Sequence, residues 1–233
     1  MTQTRRLALF DLDHTLLPLD SDYQWADYLA RTGRAGDPAE ARRRNDDLMH
    51  RYNLGELSAQ EAAEFMLGLL AAADPVDLAA WHEDFMQEVV RPGIRPQAIE
   101  LVNEHLSQGD LCAIVTATNT FVTAPIARAF NIPHLIGTVP AWRNGRYTGA
   151  IEGVASFKEG KITRVNTWLA DMGLTLGDFA SSHFYSDSMN DLPLLEVVTH
   201  PMATNPSPSL RQLAQERGWP VLDLFDAILD AKS

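Results

Sequence analysis

The sequence predicts an α/β fold: a parallel sheet with helices on both faces, and an all-helical segment inserted after the first strand. Three observations carry this prediction. The segments LALF at 7–10 and HFYS at 183–186 read as short buried strands, and each stops abruptly at an aspartate. From about Ser21 to Val90 apolar residues recur at three-four spacing, as in Ala62, Phe65, Met66, Leu69 and Leu70, with no strand pattern among them. Beyond the turn cluster RPGIRP at 91–96, helical and strand-like segments alternate along the rest of the chain.

Taken in order, the first strand ends at Asp11, where two aspartates break the apolar run. The insert holds at least three or four helices. Ser21 precedes the first, Asp22 to Thr32; Pro38 heads a second; Ser58 with Glu61 forms a capping box for a third; Pro75 opens the last. A helix then covers Gln97 to Ser107, Gly109 stops it, and LCAIVTA at 111–117 is the next strand. A helix from Thr120 to Phe130 and a strand from His134 follow. Asn144-Gly145 favours the type I′ turn of a two-residue hairpin, because both central residues of that turn need positive φ. A helix over Ile162 to Met172, the strand HFYSD, a helix near Leu192 to Val198, and short strands in PMATN and WPVLDLF complete a Rossmann-like sheet of five or six strands. The expected domains are an α/β core, residues 1–17 and 91–233, and a helical cap domain, residues 18–90.

At 233 residues, 45% hydrophobic and 21% charged, the chain can bury a sizeable core, as one large or two smaller domains. Its formal net charge of −12 repels nucleic acid and anionic membranes, so neither is an expected partner, and any phosphate site must be built locally. The single cysteine, Cys112, excludes an intramolecular disulfide and lies in an apolar strand, which predicts a buried thiol. No run approaches the ~20 apolar residues of a membrane-spanning helix. MTQTRRLALFDLD lacks the layout of a cleavable signal, so a cytoplasmic location is expected.

In open α/β sheets, ligands bind beyond the carboxyl ends of the strands, where loops and helix N-termini converge. Three predicted strand ends carry polar residues: DLDHT at 11–15, TAT at 116–118 and DSMND at 187–191. If these strands are neighbours, Asp11, Asp13, Asp187 and Asp191 crowd one pocket. Two carboxylates ~4 Å apart repel by about 4 kcal/mol at an effective dielectric of about 20, so such a cluster needs a cation. Mg2+ fits, because it takes about six oxygen ligands while using only one or two protein carboxylates. No histidine or cysteine cluster competes for a softer metal. Asp11 could then attack phosphorus, while Asp13 protonates the departing alkoxide and later takes a proton from water. Thr116, backbone amides such as that of Ala117, and a lysine would bind the phosphoryl oxygens. Lys161, opening the helix KITRVNTWL at its positive end, is favoured over Lys158 in the preceding loop.

DLDHTLL, IVTAT, Lys161 and DSMND, in that order, resemble the four motifs of the haloacid dehalogenase superfamily. The resemblance covers about residues 5–17 and 91–233, and the helical insert is similar to that family's cap. Its position, with GELSAQEA inside it and NDLPLL after the last acidic motif, resembles subfamily IB, the branch containing phosphoserine phosphatase. This implies Asp11 as nucleophile, Asp13 as general acid and base, and Mg2+ held by the side chains of Asp11 and Asp187 and the backbone carbonyl of Asp13. It also implies phosphate binding by Thr116, Ala117 and Lys161, with Asn190 and Asp191 orienting the metal shell and the lysine. Asp20 matches an acid that phosphoserine phosphatases carry shortly after the first motif, whereas no arginine follows GELSAQEAAEFM, where those enzymes have one. The implied activity is Mg2+-dependent hydrolysis of a small phosphate monoester through an aspartyl-phosphate. Candidate substrates are phosphoserine, histidinol phosphate or another amino alcohol phosphate, and phospholipid head-group esters. A phosphotransferase or mutase would use the same two aspartates, and a non-catalytic phospholigand-binding module would keep the fold.

Three further features have structural readings. Arg42, Arg43 and Arg44, followed by Asp46 and Asp47, form a solvated helix face. Alternation places His14 on the other side of the chain from Asp13, in a structural role. Trp25, Tyr28, Trp81 and Phe85 have helical spacing and pack the cap.

Overall fold

The computed structural model describes residues 5–53, 56 and 58–225. At its centre is a six-stranded parallel sheet of β1 (Arg6–Phe10), β2 (Leu111–Asn119), β3 (His134–Thr138), β6 (Ser181–Ser186), β7 (His200–Thr204) and β8 (Val221–Leu222). Their order is β3-β2-β1-β6-β7-β8. β1 lies in the middle, with Leu7 opposite Leu111 on one side and Ser182 on the other. A strand flanked on both sides and covered on both faces has no polar face, which is why LALF shows no alternation. Leu7 and Leu9 join one core with Ala113, Val115 and Phe184, while Ala8 and Phe10 join a second with Cys112 and Ile114.

Between β1 and β2 the described chain is helical: α1 (Ser21–Arg31), α2 (Pro38–Asn53), α3 (Ala59–Ala71), α4 (Pro75–Phe85), a π turn over Met86–Val90, α5 (Arg91–Gly93) and α6 (Pro96–Ser107). Ser58 and Glu61 form the expected capping box, and Pro75 stands in the first turn of α4. Asp20 rather than Ser21 caps α1, its Oδ1 accepting the Tyr23 N–H at 2.8 Å. Gly55 and Leu57 of GELSAQEA lie outside the described residues. Trp25 stacks on His82 with ring centroids 5.4 Å apart and meets Phe85 and Phe121 edge-on. Trp25, Tyr28 and Phe85 are fully buried in the cluster that holds Phe10 and Ile114, and Trp81 packs against its margin. These aromatics therefore pack as their spacing predicts, but against the sheet layer as well as against one another. Arg42 and Arg44 pair with Asp27 and Glu40 on the surface, and Arg43 is exposed.

The remaining helices are α7 (Thr120–Ala129), α8 (Glu159–Asp171), α9 (Leu192–Leu195) and α10 (Pro208–Arg217). α6 and α7 cover one face of the sheet; α8, α9 and α10 cover the other. Asn144 and Gly145, at φ 51° and 78°, turn a hairpin of β4 (Pro140–Arg143) and β5 (Arg146–Ile151), as expected. This hairpin stands outside the main sheet, and β5 packs on α3. Cys112 is buried, and burial pushes its thiol up to about 12. Among the described residues, no helix is long and apolar enough to cross a membrane. α8 starts three residues earlier than the sequence pattern predicts, and the chain enters it through a tight approach: a Cβ on Gly160 would lie 2.1 Å from the Ala155 carbonyl oxygen. On the α6 face of the sheet, His183 stacks on His200 at 4.4 Å, beside His105. Burial first, then His200 and His105, press His183 down to about 4.

Gly160→Ala overpacks a backbone contact and lowers the unfolding free energy by about 1–3 kcal/mol. Gly68→Ala, in α3 with nothing within 4 Å of the added methyl, leaves it unchanged or raises it by up to about 1 kcal/mol; urea titration separates the two. His183 takes a proton near its ordinary value of 6.5 in the unfolded chain but resists it down to about 4 in the folded one. Stability held above pH 6.5 is therefore lost as pH falls toward 4, and His200→Gln makes that acid slope shallower.

Candidate active site

The site begins where β1 ends. Asp11 N–H still bonds to Tyr185 O at 2.9 Å, but the Leu12 carbonyl then collects the amides of Thr15, Leu16 and Leu17, closing a tight loop. That loop turns Asp13 toward the same cavity as Asp11. His14 sits at φ 59°, exposed and lining the cavity, which corrects the structural reading made from alternation. Alternation holds only while a strand runs, and the chain has left β1 by Asp11. Asn205, from the loop after β7, donates to the carbonyls of both His14 and Thr15 at 3.1 Å and fixes the loop from below.

The carboxyl end of β2 supplies the second wall. Its register against β3 shifts between Val115 and Asn119, and Thr116, Ala117 and Thr118 all border the cavity. The close approach needs Gly137 on β3, where a Cβ would lie 2.9 Å from the Thr118 carbonyl oxygen. Thr116 Oγ1 accepts the Thr118 N–H at 3.1 Å, so its own proton is free to point at a ligand.

Lys161, in the first turn of α8, is buried with Nζ 2.8 Å from Asp11 Oδ1 and 2.7 Å from the Asp191 carboxylate. Lys158 is exposed and lies over the Phe157 ring, so of the two lysines only Lys161 reaches the acids. Asp191 also accepts from Ser186 Oγ at 2.7 Å. Asp187 stands next to Asp11 through one hydroxyl: Thr15 Oγ1 accepts the Asp187 N–H at 3.1 Å and lies 3.1 Å from Asp11 Oδ2 and 3.4 Å from Asp187 Oδ1. Asp13 is held on both oxygens, by Ser21 N–H at 2.8 Å and Thr118 Oγ1 at 2.7 Å. Asn190, its N–H on Ser188 Oγ at 3.2 Å, and Asp20 complete the lining. All nine residues singled out from the sequence thus line one cavity of about 650 Å³.

Sequence reasoning assigned no role to Thr15, Thr118, Ser186 or Asp22. Thr15 and Thr118 lie in the quoted strings DLDHT and TAT, which could have drawn attention to them. Ser186 is one more residue of a strand. Asp22 lies within a helix, and its carboxylate accepts from Asn119 Nδ2 at 2.9 Å, a partner 97 positions away.

Charge is unevenly balanced here. Burial, then Asp11 and Asp191, push Asp187 up to about 8, and burial raises Asp191 to about 6 against the pull of Lys161. Asp13 is raised to about 6 by burial and by Asp20, against its donors Ser21 and Thr118. Burial would lower Lys161, but Asp11 and Asp191 outweigh it and hold it charged. One ammonium stands among four carboxylates, those of Asp11, Asp13, Asp187 and Asp191, whose oxygens are the donors a hard divalent cation prefers. Among the described residues no three or more His, Cys, Asp or Glu side chains are grouped so that they alone could hold a metal ion. The Asp11 and Asp187 carboxylates, both within reach of the Thr15 hydroxyl, fit an ion that takes one or two protein carboxylates and keeps several waters, as Mg2+ does.

The sequence profile of the haloacid dehalogenase-like hydrolases matches residues 8–196. A histidinol-phosphatase of Neisseria meningitidis serogroup C is 43% identical over 220 residues, which cover 94% of this chain and 99% of that protein. A crystal structure of a protein of unknown function from Bordetella pertussis Tohama I has a TM-score of 0.94 and 74% identity, covering 96% of this chain and all 100% of that one. A substrate-bound phosphoserine phosphatase shares the fold at a TM-score of 0.67 and 17% identity, over 94% of this chain and 93% of that one. With the profile running from β1 past the acidic loop that follows β6, this chain belongs to the haloacid dehalogenase-like hydrolase family.

Proposed function

We propose that the chain is a Mg2+-dependent phosphatase that passes the phosphoryl group of a small phosphate monoester to Asp11 and then to water. The observation that carries this reading is the placement of Lys161 Nζ, 2.8 Å from Asp11 and 2.7 Å from Asp191. Two of its three N–H donors are used, and the third is left for a phosphoryl oxygen. Thr116 Oγ1 and the Ala117 amide offer donors on the β2 side. Asp11, Asp187 and the carbonyl of Asp13 would hold the metal, with Asn190 and Asp191 supporting that arrangement. Bound there, the ion neutralises charge on the transferring phosphoryl group. Asp11 forms its bond to phosphorus as the ester bond breaks; Asp13 gives its proton to the departing oxygen and regains one from the water that releases phosphate. The insert, residues 18–90, would cover the core, residues 1–17 and 91–233, and exclude bulk water during turnover.

An amino alcohol phosphate such as histidinol phosphate is the substrate class we favour. The N. meningitidis relative carries that name. Away from Lys161, the cavity is lined by Asp20, Asp22 and Tyr23 and by apolar Leu48, Met49 and Met66. Those carboxylates suit a protonated amine, and the apolar residues suit a carbon skeleton or ring. Among the described lining residues there is no arginine and no lysine besides Lys161, so the carboxylate of phosphoserine would meet like charge.

Asp11→Asn abolishes phosphate release from p-nitrophenyl phosphate, and EDTA does the same to the wild type until Mg2+ is restored. Retained turnover in either case would sink the assignment. In Asp13→Asn, kcat/KM falls by about 10²–10⁴ for phenyl phosphate but much less for p-nitrophenyl phosphate, whose leaving group needs no proton. Steady-state kinetics on the two esters reads this contrast directly.

A further inference from the structure

Asp13 has hydrogen-bond partners of two different kinds. Its Oδ1 accepts the backbone N–H of Ser21, from the first turn of α1, and its Oδ2 accepts the side-chain hydroxyl of Thr118, from the end of β2. A backbone N–H can only donate, whereas a hydroxyl donates or accepts according to its rotation. Thr118 is 5% exposed, so water does not readily take its place. Its backbone is fixed as well, because its N–H is bound to Thr116 Oγ1 and its carbonyl is closely approached by Gly137.

We infer that Thr118 is a positioning residue for the reaction: its hydroxyl fixes the Asp13 carboxyl group and holds Oδ2 in place for the proton transfers. This rests on Asp13 being the general acid and base. In the first step the bond from Asp11 to phosphorus forms and the ester P–O bond breaks. The proton on Asp13 Oδ2 passes to the departing oxygen, and a neutral alcohol leaves. Oδ2 is then ionised, and the Thr118 hydroxyl donates to it. In the second step a water oxygen bonds to phosphorus, the bond to Asp11 breaks, and the proton lost by water returns to Oδ2, whose other lone pair the Thr118 hydroxyl still holds. Ser21 N–H stays on Oδ1 throughout. Without the Thr118 hydroxyl, the carboxyl group keeps one anchor and can turn about its Cβ–Cγ bond, so Oδ2 is misplaced for part of the time.

The test compares Thr118→Val, Thr118→Ser and Asp13→Asn on phenyl phosphate and p-nitrophenyl phosphate, with inhibition by inorganic phosphate as the binding readout. Thr118→Val should lower kcat/KM about tenfold for phenyl phosphate and less than about threefold for p-nitrophenyl phosphate. Its inhibition by phosphate should stay within about twofold, and Thr118→Ser should recover both esters to within about threefold, since one hydrogen bond is restored. Thr118→Ala replaces the valine variant if that one does not fold. Equal losses on the two esters, weakened phosphate inhibition, or a serine variant as impaired as the valine would overturn the inference and leave Thr118 a packing residue. If Asp13→Asn itself does not distinguish the esters, the reading of Asp13 fails first; if it does and Thr118→Val does not, only the inference about Thr118 fails.

Discussion

Carboxylates gathered at the carboxyl edge of a parallel sheet repel one another, and the rest of this structure depends on how Lys161 relieves that repulsion. Asp11 comes from the end of β1 and Asp191 from the loop after β6, while Lys161 enters between them from α8. A buried carboxylate deprived of its cationic partner typically costs about 3–5 kcal/mol. The tight entry to α8 at Gly160 and the Ser186 hydroxyl on Asp191 serve this junction. One cation remains too few for Asp11, Asp13, Asp187 and Asp191, an imbalance that the proposed metal ion would relieve.

Much of this was legible because the chemistry coincides with strand ends. LALF and HFYS each stop at an aspartate, and a strand that must be apolar on both faces is readable from a handful of residues. Lys161 was separable from Lys158 by its place in a helix. What the pattern did not carry was geometry after the strands end. His14 turned into the cavity because a left-handed residue breaks alternation, and Asp20 became the cap of α1 because its side chain reached Tyr23 N–H. The register shift near Thr116 is a relation to β3, where Gly137 allows the close approach, and neither is local in sequence. Asp22 meets Asn119 only through the tertiary fold.

The insert is helical as its periodicity predicts, yet it is not bound to the core by a thin linker alone. Trp25, Tyr28 and Phe85 lie in the same apolar cluster as Phe10, and His82 on α4 bonds to Val122 O on α7 at 2.8 Å. α1 thus reaches the site from a firm base, bringing the Ser21 amide to Asp13 and Asp22 to Asn119. α2 and α3 border the cavity with apolar side chains, and α3 leans on the hairpin of β4 and β5. The half of the insert nearest the acids is packed as scaffold; the other half is the wall that a substrate's organic part would touch.

The central place of β1 has a consequence for the history of each molecule. Leu7 pairs with Leu111, and Ser182 closes the other side, so β1 gains its second neighbour only when the chain has reached β6. Contacts that distant in sequence close slowly. Until β6 is made, one edge of this apolar strand, and Asp11 at its end, lack the partners they have in the folded chain. A chain that stopped before residue 181 would carry Asp11, Thr116 and Lys161 but lack Asp187 and Asp191, half of the acidic cluster.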